Sequence, residues 1–139
     1  MLSYIDIHSH IHDKEFDKDR EAVLARMRES GTGTITVGTH LESSKKALAL
    51  AEKELDVWAT VGVHPTDTKV HALPAELEKL ARHKKVVAIG ECGLDYFRVE
   101  ESTKYVQIKA FVEHIELANT LGKPLMLHIR NAYEDALEV

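Results

Sequence analysis

The sequence predicts an α/β fold built on a parallel sheet. Short β-rich runs alternate with longer segments whose apolar residues recur at helical spacing, the pattern of successive βα units. Each β-rich run is a nearly continuous apolar or β-branched stretch, which suits parallel strands buried on both faces. Polar, chemistry-bearing residues gather at the C-terminal ends of these runs, the edge at which parallel α/β folds bind ligands.

The strands are expected at Tyr4 to His8, Thr34 to Gly38, Val57 to Val63, Val86 to Gly90 and Pro124 to Ile129. Between them, Leu48, Ala51 and Leu55 share one helical face, Leu77, Leu80 and Ala81 another, and Tyr105, Ile108, Val112 and Ile115 a third. Gly31 stands where the first helix wants a left-handed cap, and Gly122 with Pro124 closes the long fourth helix in the same way. Pro74 suits a helix start. Five strands with four complete connecting helices fit either an open doubly wound sheet or part of an eight-unit barrel of about 250 residues. The stretch from Asn131 to Val139 reads as the opening of another helix, so the chain is expected to be a single domain, residues 1–139, that is truncated.

With 44% hydrophobic and 29% charged residues, the 139-residue chain falls among ordinary globular proteins. Its formal charge of -5 supplies no general basic field for a polyanion, so nucleic-acid contact would have to be local or mediated by cations. No run is apolar and long enough to cross a bilayer, and the start lacks the pattern of a secretory signal. The single cysteine, Cys92, fits a reducing compartment. A cytoplasmic location and no membrane partner are the expectation.

The nine histidines are the compositional oddity, and their placement gives them meaning. In Asp6-Ile7-His8-Ser9-His10, alternate strand residues point the same way about 7 Å apart, so two imidazoles can reach one cation. The third strand ends in Gly62-Val63-His64-Pro65, the fourth in Gly90-Glu91-Cys92-Gly93-Leu94-Asp95, and the fifth in Leu127-His128-Ile129-Arg130. His8, His10, Glu91 and His128 would meet at one rim as a mixed imidazole and carboxylate set, suited to zinc, manganese or a similar divalent ion. Arg130, two residues after His128, shares its face and can grip a phosphate through paired hydrogen bonds, or else pair with Glu91 or Asp95. His64 either lines the site or bonds a loop, and Asp95 is either the partner of Arg130 or a loop-ordering acceptor. His12 continues the alternation of His8 and His10 but is expected to lie past the strand and outside the ligand set. His40, His71, His83 and His114 read as surface residues, and Cys92, next to a ligand, as a packing residue pointing away from it.

These motifs, with Ala88-Ile89-Gly90-Glu91-Cys92-Gly93-Leu94-Asp95-Tyr96, Gln107 with Phe111, and Lys123-Pro124 through His128-Ile129-Arg130-Asn131-Ala132, resemble in order those of TatD-type deoxyribonucleases. The resemblance runs through the whole chain and departs at His12, where the family often has an aspartate or another residue. It implies a (β/α)8 TIM barrel of the metal-dependent hydrolase type, here partial with about five βα units. It further implies two divalent ions (zinc, manganese or magnesium): His8 and His10 hold the first, Glu91 bridges both as the catalytic carboxylate, and His128 holds the second. A histidine from a sixth strand and an aspartate from an eighth would complete the site. Arg130 and His64 are then the candidate substrate-binding residues. DNA is the implied substrate, cut by phosphodiester hydrolysis from the 3′ end.

The residues leave two other functions open. A related barrel hydrolase would act on amides, lactones or small phosphoesters, since one fold hosts many chemistries. A non-catalytic partial barrel would self-associate or pair with its missing half through its open edges.

Overall fold

A computed structural model describes residues 2–68, 73–97 and 101–139. His71, expected at the surface, lies outside the described residues.

Five parallel strands lie in the order of the sequence: β1 (Tyr4–Ser9), β2 (Thr32–Val37), β3 (Val57–Val61), β4 (Val86–Asp95) and β5 (Leu125–Arg130). Every strand is followed by a helix: α1 (Arg20–Glu29), α2 (Leu41–Lys53), α3 (Ala75–Ala81), α4 (Glu101–Leu121) and α5 (Tyr133–Glu138). Sequential order with helical crossovers is the topology of a (β/α)8 barrel, and a doubly wound sheet would reverse its strand order part-way. The sheet is accordingly the five-stranded part of such a barrel.

Both cap glycines behave as the sequence requires, with φ of 68° at Gly31 and 62° at Gly122. The His40 ring caps α2 by accepting the Ser43 N–H at 3.3 Å. Pro74 caps α3, its carbonyl accepting the Leu77 N–H at 2.8 Å.

One apolar core lies between the sheet and the first three helices, built on Leu24, Ala47, Leu48, Ala51, Val57, Val61, Leu77, Ala81 and Ile89. A second cluster joins the far half of β4 to α4 and α5 through Cys92, Leu94, Phe111 and Ala132. Burial on both faces holds for the central strands but not for the edges. Along β1, Tyr4, Ile5 and Ile7 are exposed, and on β5 so is Leu127, because each edge strand has a neighbour on one side only.

Two helical faces differ from expectation. Leu55 lies past the end of α2 and is 82% exposed. The inward face of α4 is Gln107, Ala110, Phe111, His114 and Ala118, while Tyr105 and Val112 face solvent. The apolar stripe read from the sequence is therefore rotated about the helix axis. Two polar side chains take inward positions because each finds backbone partners at a strand end, described below.

The fourth strand is twice the expected length, running on to Asp95 through a shift in its register with β5 between Gly90 and Cys92. Glycine at 93 permits this, for its φ is 134° and a Cβ there would overlap the His128 carbonyl oxygen. One strand thus presents both Glu91 and Asp95 to the rim.

Candidate metal centre

The rim formed by the C-terminal ends of the strands gathers two buried carboxylates, Glu91 and Asp95, and four imidazoles. Glu91 is 7% exposed, and its backbone N–H donates to the Gly38 carbonyl at 2.9 Å. Its carboxylate oxygens are divided between two groups. Oε2 lies 3.3 Å from His8 Nε2, while Oε1 lies 3.2 Å from His128 Nδ1 and 3.9 Å from His64 Nε2. Donor atoms of His8, His10 and Glu91 all fall within 4.8 Å of one another, as do those of His64, Glu91 and His128. Imidazole nitrogen and carboxylate oxygen at such separations make a donor set suited to a divalent transition metal.

Hydrogen bonds fix which ring nitrogens face the centre. His10 Nδ1–H donates to the Val37 carbonyl at 2.9 Å, so Nε2 keeps its lone pair for a cation. His128 stands between Asp95 Oδ2, 2.9 Å from Nε2, and Glu91. With the Nε2 proton given to Asp95, Nδ1 is free to coordinate, the carboxylate–histidine–metal arrangement. His64 is set the other way: its Nδ1 accepts the Thr66 N–H at 3.2 Å, which places the proton of the neutral ring on Nε2, facing Glu91. Its geometry is that of a hydrogen-bond donor pointing into the site and not that of a ligand. Burial lowers the His64 pKa, with the nearby His128 acting in the same direction, so the ring is neutral at pH 7.

Asp95 works at one remove. Burial tends to raise its pKa, but the Phe97 N–H, donating to Oδ1 at 2.9 Å, and His128 outweigh this and hold it below the usual carboxylate value. It therefore stays an acceptor for His128. Arg130 is exposed, its guanidinium stacked 3.7 Å from the centroid of the Phe97 ring, in register with Asp95. Cys92 is fully buried on the helix side of β4, its thiol pushed up to about 12 by burial and by Glu91, and it is inert packing as expected.

His12 leaves the row. The strand ends at Ser9, and the chain turns the His12 ring into the protein, 2.6 Å from Thr36 Oγ1 and 2.8 Å from Ser43 Oγ. Burial lowers its pKa to about 4.

The supports on α4 were not legible from apolar periodicity. Gln107 accepts the Asp95 N–H at 2.8 Å and donates to the Asp95 carbonyl at 3.0 Å, clamping the residue that orients His128. His114, expected at the surface, is fully buried: Nδ1–H donates to the Ala110 carbonyl and Nε2 accepts the Val63 N–H at 3.0 Å, holding the residue before His64. A polar pair seven residues apart on one helical face, with Ala110 and Phe111 between, was the available signal.

Burial lowers the His114 pKa below 6.5 against the opposing pull of the Ala110 carbonyl and Glu113. A base whose folded pKa is depressed contributes stability above its unfolded value, and that stability is lost as pH falls below 6.5. Urea midpoints at pH 7.5, 6.5 and 5.5 should therefore fall more steeply for the wild type than for His114→Gln, which has no proton to gain. Parallel curves would show that His114 does not titrate with folding.

Comparison with known proteins supplies the family. The family model described as TatD related DNase matches residues 5–139. The chain belongs to that family. Among TatD relatives, the chain is 43% identical over 131 residues to the 3′-5′ ssDNA/RNA exonuclease TatD of Cronobacter sakazakii, covering 92% of this chain and 49% of the relative. It is 38% identical over 144 residues to an uncharacterized metal-dependent hydrolase TatD of Mycobacterium tuberculosis, covering 97% of this chain and 54% of the relative. A solved TatD-family hydrolase from Entamoeba histolytica superposes with a TM-score of 0.87 at 29% identity, covering 99% of this chain and 53% of that one. This TatD chain thus spans about half the length of the relatives it matches. Among the described residues, no helix is long and apolar enough to cross a membrane.

Proposed function

We propose that the chain supplies four of the six ligands of a dinuclear metal-dependent nuclease, which hydrolyses phosphodiester bonds of single-stranded nucleic acid from the 3′ end. One observation carries this reading: the two oxygens of Glu91 are split, one toward His8 and the other toward His128, so a single carboxylate links two donor groups. His8 and His10 would hold one ion, His128 the other, and Glu91 both.

Divalent ions in such a centre lower the pKa of water and offset charge on phosphoryl oxygens. Around them the side chains have separate tasks. Asp95 holds the His128 ring in the tautomer that leaves Nδ1 free. His64 Nε2–H, aimed at the centre, donates to a phosphoryl oxygen of the substrate. Arg130, kept at the rim by Phe97, offsets negative charge as attack on phosphorus proceeds. The substrate class follows the named activity of the relatives, and the acidic balance of the chain is compatible because the cations reverse the sign of the site locally.

Two measurements test this. Elemental analysis after dialysis against manganese should find bound manganese, with His10→Ala and His128→Ala each lowering the content. Unchanged content in both variants overturns the ligand assignment. Metal-loaded protein given 5′-labelled single-stranded DNA, a simple phosphodiester and a cyclic amide should shorten the DNA from its 3′ end. Amide hydrolysis with the DNA intact overturns the substrate.

A further inference from the structure

A basic groove outside the metal centre has no part in the chemistry above. It is a cavity of about 300 Å³ between α2 and the segment joining β1 to α1, lined by His12, Lys14, Asp17, Arg20, Lys46 and Lys53, with Ala49 and Leu50. Its carboxylate is already committed, since Asp17 Oδ1 accepts from Arg20 at 2.7 Å. Arg20 is equally committed, donating also to the carbonyls of Ile11, His12 and Asp13, so it builds the wall and offers no free charge. Lys14, Lys46 and Lys53 remain: all three are exposed, and none enters an ion pair among the described residues. Three unneutralised ammonium groups in one groove, on a chain of net charge -5, make a local field of opposite sign to the whole.

Spacing and placement indicate what such a groove takes. Lys46 and Lys53 are seven residues apart on one face of α2, about 10 Å along the helix axis, a span over which a polyanion presents more than one charge. Ala49 and Leu50 lie between them as an apolar floor. The groove reaches His12, whose ring is 6.2 Å from that of His10, itself 5.2 Å from His8. The groove thus lies within two ring spacings of the candidate metal centre. Asp13, 3.2 Å from the His12 ring, places a negative charge beside that ring.

We propose that the groove binds the phosphodiester backbone of single-stranded nucleic acid, holding the strand at a distance from the scissile bond. The inference rests on the nucleic-acid substrate proposed above but concerns binding without metal. Lys14, Lys46 and Lys53 contact successive phosphates, and the recognition is independent of sequence.

The test is fluorescence anisotropy of a 5′-labelled oligothymidylate with the chain in EDTA. Affinity should fall with rising salt, with a log–log slope of about 2 for three phosphates neutralised on a single strand. Lys46→Glu with Lys53→Glu should weaken binding at least tenfold, while Lys79→Glu on α3 leaves it unchanged. Equal affinity in the groove variant and the wild type overturns the proposal. So does thymidine monophosphate competing as well as the oligomer at equal phosphate concentration, since the groove would then hold a lone phosphate group. Groove binding without DNA cleavage by the metal-loaded protein sinks the nuclease reading alone, and cleavage with no effect of the lysine changes sinks the groove alone.

Discussion

Replacing Glu91 with glutamine should reduce the affinity of the chain for manganese or zinc by on the order of 100-fold or more, the largest loss expected of any single change. Among the described residues Glu91 is the one group that faces both His8 and His128, so its charge would be removed from both proposed donor groups at once. Glutamine keeps nearly the same volume, and the backbone bond to Gly38 is untouched, so the fold should survive. Saturating metal should raise the melting temperature of the wild type and not that of the variant, because a ligand stabilises only in proportion to its binding. Asp95→Asn provides the contrast. It alters only the group that orients His128 and should cost about 10-fold to 100-fold. Isothermal titration of both variants checks the order, and a Glu91→Gln chain that binds metal as the wild type does would remove the basis for a carboxylate-centred site.

Gln107→Leu should produce the largest loss of stability, about 3 kcal/mol, as two buried backbone groups lose their partners together. The Asp95 N–H and carbonyl both pair with the Gln107 amide, and leucine fills the space without replacing either bond. On a domain of this size the loss corresponds to a fall of about 10 °C in melting temperature. Gln107→Glu retains an acceptor for the Asp95 N–H and should fall between the two. Differential scanning calorimetry on the metal-free protein measures this, and equal melting temperatures for Gln107→Leu and the wild type would mean that Asp95 is held by something other than the clamp.

Part of the site is legible because it depends on local chain geometry. Two histidines spaced i, i+2 at a strand end point the same way in any strand, so the pairing of His8 with His10 follows from Asp6 to His10 alone. The same alternation explains why Cys92 packs away from the centre that Glu91 faces. His12 fails the pattern because β1 stops at Ser9, and strand ends are set by pairing with β2 and not by composition. The buried face of α4 is hidden for a related reason. Apolar periodicity places Tyr105 and Val112 inward, yet Gln107 and His114 are buried because Asp95 and Val63 offer backbone partners 12 and 51 residues away.

Taken by itself, the sequence determined the alternation of strand and helix, the cap glycines and which residue types stand at the strand ends, since each depends on neighbours a few positions apart. Tertiary structure decided the rest: that the strands follow one another in a curled barrel sheet, that Glu91 divides its oxygens between two groups, and that His64 presents a proton where His10 presents a lone pair. The tautomer of an imidazole is set by whatever meets its other nitrogen. For His10 and His128 that partner is 27 and 33 residues distant, in another strand. No local pattern encodes it.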